Sequence, residues 1–150
     1  MVKFYLIPIL ITTIFFINNI EKQLPQETIP QNQLIGKWQG PNGVVWSVRK
    51  EKEGYIALLA DFGVHSGIPE RDIHNSDPEL RSRQCLNIFL ATDIRKIGKL
   101  RWKSDSLYDP ATGLDIHARL ELIGDDQLKV TRYVFIPFFG ESTYWTRLRE

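Results

Sequence analysis

Ile116-His117-Ala118-Arg119-Leu120-Glu121-Leu122 alternates an apolar with a polar side chain at every step. Successive side chains of a strand point to opposite faces, so Ile116, Ala118, Leu120 and Leu122 share one face while His117, Arg119 and Glu121 share the other. One dry face and one wet face define half-buried antiparallel sheet. Outward from this stretch the chain continues in short β-rich segments, expected at 34–39, 44–50, 55–60, 86–91, 99–102, 116–122, 128–134 and 142–148. They are punctuated by Pro41-Asn42-Gly43, Glu53-Gly54, Asp109-Pro110, Gly113, Gly124-Asp125-Asp126 and Gly140, residue types that set turn dihedrals or accept local backbone hydrogen bonds. No long helical period interrupts them. With short hairpins and no helix to cover a parallel sheet, the chain from 34 to 150 reads as one all-β domain. Its expected form is an antiparallel barrel of about eight strands, or a strongly curved sheet.

One connection is too long for a hairpin. Residues 61–83 contain a dense polar island, Asp72-Ile-His-Asn-Ser-Asp-Pro-Glu-Leu-Arg-Ser-Arg83, and loops of this length either serve function or close over their own packing. Asp72, Asn75 and Asp77 stand within reach of Arg81 and Arg83, so a self-bonded loop with carboxylate to guanidinium pairing is expected. Asp77 followed by Pro78 suits the start of a short helical turn. A calcium loop is not indicated, since the spacing lacks the central glycine and the terminal bidentate glutamate.

The N-terminus has a different character. Lys3 precedes an apolar run at 4–17 broken only by Pro8, Thr12 and Thr13, and Asn18-Asn19 closes it. This reads as a signal peptide or N-terminal anchor over 1–19, which implies export, with membrane anchoring if it is not cleaved. No small-x-small cleavage site follows it, and the sole cysteine, Cys85, lies too far downstream for lipid attachment. Residues 20–33, rich in Glu, Gln, Asn and Thr with Pro25 and Pro30, read as a flexible polar lead.

Charge and motif content remove several function classes. The whole chain carries 19 basic and 18 acidic residues, and removing the leader takes away Lys3 alone, so no polyanion partner is indicated. Arg95, Lys96, Lys99, Arg101 and Lys103 cluster, but Asp93 and Asp105 bracket them and make a solvated charged hairpin rather than a nucleic-acid surface. His65, His74 and His117 show no zinc spacing, and no G-x-S-x-G occurs. Cys85 has no intrachain partner and no adjacent base, so a buried structural thiol is expected. No catalytic residue, metal or cofactor is assigned.

Gly36-Lys37-Trp38, then Asp72, Asn75, Asp77, Pro78, Leu80, Arg81 and Arg83, then Trp102, Tyr108-Asp109-Pro110, Gly113, Leu128, Val130, Tyr133, Gly140 and Trp145-Thr-Arg147 form an ordered set. In that order they resemble a bacterial envelope family catalogued as Domain of Unknown Function 2147, whose members are small exported proteins with a lipocalin-like (calycin-type) barrel. The chain departs from the family pattern at Ser76, Gln84-Cys85, Ser104, Leu114 and Ile116 and is similar to a divergent member. The resemblance implies that Trp38 on the first strand is covered by Arg147 from the last, closing one end of the barrel through a cation–π contact. It carries no defined activity.

The run Phe135-Ile136-Pro137-Phe138-Phe139 is more apolar than a solvated turn requires. Phe135, Phe138 and Phe139, with Tyr108 at a strand end, are therefore the ligand-contact candidates. The leading expectation is noncatalytic binding of a small apolar or amphipathic molecule in the barrel or at this rim. The alternative is a filled barrel that contacts an envelope protein or membrane surface. An enzyme would require Asp72, His74, Asp77 or Tyr108 gathered in a cleft.

Overall fold

A computed structural model describes residues 33–149. The expected leader and all but the last residue of the polar lead lie outside the described residues. Eight strands follow in order: β1 (Gly36–Gln39), β2 (Val45–Lys50), β3 (Tyr55–Asp61), β4 (Phe89–Gly98), β5 (Arg101–Asp109), β6 (Leu114–Leu122), β7 (Gln127–Tyr133) and β8 (Glu141–Leu148). Each pairs antiparallel with its sequence neighbour, and β1 pairs with β8, with Trp38 opposite Arg147. The sheet closes into a barrel, which removes both exposed edges.

Alternation governs what the barrel holds. Trp38, Val48, Leu59, Ile94, Trp102, Leu120, Leu128 and Val130 are all buried inside it. Trp102 meets Tyr55 edge to face, with ring centroids 6.3 Å apart at 88°. These side chains occupy the middle of the barrel. Ala118, Leu120 and Leu122 are buried while His117, Arg119 and Glu121 are only partly covered, as the alternation of β6 requires.

Two strands are much longer than the apolar pattern suggests. β4 and β5 were expected at 86–91 and 99–102, whereas they run to Gly98 and from Arg101 to Asp109. Their outer face is built from charge: Arg95 pairs with Asp93 and Asp105, and Lys103 lies 3.4 Å from Asp105. The cross-strand pair Arg95–Asp105 and the pairs along each strand support β4 and β5 without any apolar signal. β4 also starts late, because Asn87 takes a positive φ of 64° in the turn that leads into it.

The connections separate into two ends. The β2–β3, β4–β5 and β6–β7 turns lie at one end with the start of β1. The β1–β2, β3–β4, β5–β6 and β7–β8 connections lie at the other, including the long segment 62–88.

Candidate functional site

At the end where β1 begins, Arg147 seals the barrel. Its guanidinium carbon stands 4.2 Å from the centre of the Trp38 ring, and its Nη1 donates to the Ile35 carbonyl at 2.7 Å. Its Nε donates to the Asp125 carbonyl at 3.1 Å, and Trp38 Nε1 donates to the Leu34 carbonyl at 2.9 Å. Gly36 has a φ of +134°, and a side chain there would meet Arg147 Nη1 at 3.0 Å. Burial lowers the pKa of Arg147, against the nearby Asp126 and Asp125 charges.

The polar island sits at the opposite end and is drawn inward. Asp72 is fully buried, and its Oδ2 accepts from Arg83 Nε and Nη2 and from Asn75 Nδ2, each at 2.8 Å. Its Oδ1 accepts from the Tyr108 hydroxyl, which also accepts from Asn75 Nδ2 at 3.1 Å. Below this network the loop stem pairs with itself: Asp72 N–H donates to Arg83 O at 3.0 Å and Cys85 N–H to Glu70 O at 2.9 Å. Arg81 Nε donates to the Asn75 carbonyl at 2.8 Å, while Asp77 caps Pro78–Leu80 by accepting from Glu79 N–H at 3.0 Å. Gly113, at φ +74°, lies where an added Cβ would be 1.8 Å from the His74 carbonyl oxygen, so the β5–β6 turn and the loop touch backbone to backbone.

The electrostatics of this network hold each group in one state. Burial alone would raise the Asp72 pKa, but hydrogen bonds from Tyr108, Asn75 and Arg83, with the Arg83 charge, outweigh it and lower it. Burial and the bond to Asp72 push Tyr108 up to about 12. Burial, with the Asp72 charge, pushes the Cys85 thiol up to about 11. An ionised carboxylate held by four donors beside a protonated phenol orders the loop. Of the enzyme candidates, Asp72 and Tyr108 are joined here, while His74 contributes its backbone and Asp77 a cap.

Beside the locked loop, the barrel mouth opens into a cleft of about 330 Å³. Trp46 and Trp145 form its floor, with ring centroids 4.2 Å apart at 40°. Trp145 Nε1 donates to Thr143 Oγ1 at 2.9 Å, and Gly40 leaves room for the ring, since a Cβ there would lie 2.5 Å from it. Arg132 stands at the rim, 3.7 Å from Asp109 and 3.4 Å from Glu141. Asp109, Arg132 and Glu141 also line an adjoining groove that includes Leu114, Ile116, Val134 and Phe139.

Of the four ligand-contact candidates, Phe139 lines that outer groove, and Phe135 and Phe138 project from the same turn. Tyr108 lines neither cleft, its hydroxyl being taken up by Asp72. The residues missed were Trp46, Trp145 and Arg132. The signal was phase: Arg132 follows Leu128 and Val130 on the inward face, and Glu141 and Thr143 precede Trp145 on theirs. A charged residue in step with core residues at a strand end marks the mouth of a barrel.

A closed eight-stranded antiparallel meander with one plugged end and one cleft end defines a lipocalin-like barrel. The chain belongs to the DUF2147 family, described as an uncharacterized protein conserved in bacteria, whose family model matches residues 36–147. Among solved structures it is similar to protein HP1028 from Helicobacter pylori, described as belonging to the lipocalin family. The two share 21% sequence identity at a TM-score of 0.70, over 78% of this chain and 84% of that one. No curated protein matches the chain.

Proposed function

We propose that this protein binds a small amphipathic molecule at the barrel mouth, its apolar part over Trp46 and Trp145 and its polar end at Arg132, Asp109 and Glu141. The observation that carries this reading is the paired-tryptophan floor beneath a charged rim. A volume of about 330 Å³ lies near the lower end of the roughly 300–1,000 Å³ typical of ligand pockets. The large side chains of the midsection, Trp38, Leu59, Trp102 and Leu120 among them, keep the ligand at the mouth, so the cleft suits one short chain or ring system rather than a whole phospholipid. The Lys3 and 4–17 leader pattern supports export, so the ligand is met in the cell envelope; fractionation of cells producing the full chain tests that part.

The binding test uses natively purified protein. Native mass spectrometry should show a retained small molecule, and titration with octanoate, octylamine and octanol should change tryptophan fluorescence saturably for at least one of them. Arg132→Leu should alter the ranking among the three head groups. An unliganded mass and flat titrations with all three overturn the reading.

A further inference from the structure

The β7–β8 turn is the most exposed apolar feature among the described residues. Phe135 is 90% exposed, Phe138 84% and Phe139 81%, and their one ring contact is edge to face between Phe138 and Phe139 at 5.1 Å. Val134 flanks them, Leu114 lies across the shared groove, and Val64 projects from the β3–β4 connection, which bonds to the β1–β2 turn at Asn42. Two connections and the start of β6 therefore present apolar side chains at this end of the barrel. The turns of the other end instead carry Glu51-Lys52-Glu53, Lys99 and Asp125-Asp126.

We infer that this open end is a lipid-docking face: the 134–139 turn, with Val64 and Leu114, seats in the headgroup boundary of a bilayer and brings the cleft mouth to the membrane. Aromatic side chains on a protruding turn suit a partner that closes around them, as a headgroup layer does. Charge selects the kind of surface. Residues 134–140 carry no charge, and beside them Arg132 stands between Asp109 and Glu141; on the 62–88 connection Arg71, Arg81 and Arg83 are outnumbered by Glu70, Asp72, Asp77 and Glu79, so the face carries no net positive charge to favour anionic lipids. The surface it fits is zwitterionic or neutral.

The chain beyond the described residues permits this. Residues 18–32 reach about 50 Å if extended. The nine residues of β5 rise about 30 Å. A chain held by its 4–17 run could thus lay its open end on the same bilayer. The inference does not depend on the cleft holding a ligand.

The test needs a local readout, because the N-terminal run of the full chain could itself associate with vesicles. Cys85 is fully buried, so a cysteine introduced by Phe138→Cys can be labelled selectively with an environment-sensitive nitrobenzoxadiazole dye. With phosphatidylcholine vesicles its emission should rise about threefold, against little change for the same dye at Lys52→Cys on the opposite end. Adding Phe135→Ser and Phe139→Ser should remove at least half of the rise. Replacing a quarter of the phosphatidylcholine with phosphatidylglycerol should leave the signal level or lower. No rise at position 138, an equal rise at both positions, or a rise that follows protein concentration without vesicles overturns the docking face. A several-fold gain with phosphatidylglycerol overturns its preference for neutral lipid.

Discussion

Two segments leave the barrel at its open end, and they reverse the usual relation between polarity and exposure. The 62–88 connection is rich in charge, yet Asp72 and Asn75 are buried; the 134–140 turn is almost wholly apolar, yet its three phenylalanines are exposed. The difference lies in partners. Asp72 has Arg83, Asn75 and Tyr108 around it, so both of its oxygens keep donors when it leaves water. The phenylalanines have one another and solvent. One segment is completed by folding, and the other leaves its rings in solvent.

The sharpest way to break this comparison is to remove the carboxylate that finishes the loop. Asp72→Ala strands the buried side chain of Asn75 and the hydroxyl of Tyr108, and should cost about 3 kcal/mol. Arg83, partly exposed, can turn to water and moderates the loss. Urea unfolding should show a lower midpoint with an unchanged slope. Asp72→Asn, which keeps one acceptor, should lose less. A loss below about 0.5 kcal/mol for the alanine variant would mean that the loop is ordered by something other than this network.

Gly113→Ala tests the same lock from the barrel side. The new Cβ would lie 1.8 Å from a backbone oxygen of His74, and φ is +74°, so the clash cannot be relieved by a side-chain rotation. A loss of about 2 kcal/mol is expected in thermal unfolding. Proteolysis should then cut within 62–88 before the barrel opens.

The same residues show how far the sequence could be read. Turn signals and alternation were enough for an antiparallel barrel or a strongly curved sheet, and the family resemblance pointed to the barrel. Both signs of charge in one short segment pointed to pairing of Asp72 or Asp77 with Arg81 or Arg83; Asp72 takes Arg83, while Asp77 caps a turn and Arg81 bonds the Asn75 carbonyl. The lengths of β4 and β5 were hidden because their outer faces are stabilised by Arg95, Asp93 and Asp105 rather than by apolar side chains. The contact of Gly113 with His74 was hidden too, being a meeting of two backbones distant along the chain. Trp46 and Trp145 face each other only once β1 has closed on β8, so their pairing is a property of the closed barrel.

The loop's network also sets how stability changes with pH. The folded Asp72 pKa lies below its ordinary value of 3.8, so its contribution is complete above that value and is lost as pH falls through the folded one. Two groups act at the alkaline side with the opposite sign. Cys85 is raised from 9.0 to about 11 and Tyr108 from 10.0 to about 12, so each contributes fully below its ordinary value and less as pH rises through the folded one. Stability should be level from about pH 5 to 9 as far as these groups decide it, then fall toward pH 12 by at most about 2–3 kcal/mol for each group, two pKa units at about 1.4 kcal/mol apiece. Tyr108→Phe should flatten the fall between 10 and 12, and Cys85→Ala the fall between 9 and 11. A profile identical in both variants and the parent would place the alkaline transition elsewhere.

The smallest effect belongs to the other segment. Phe138→Ser with Phe139→Ser removes two large apolar side chains, a change that costs several kcal/mol in a core but here touches only the contact between the two rings. Stability should therefore change by less than about 0.5 kcal/mol, in either direction. Solubility should rise, because the exposed rings are what favour association in water. A loss of about 2 kcal/mol instead would mean that the turn packs against the barrel in solution, and the comparison would collapse into two ordered segments. Equal stability combined with loss of the vesicle response would show the opposite: rings that contribute nothing to folding and are present for what the open end meets.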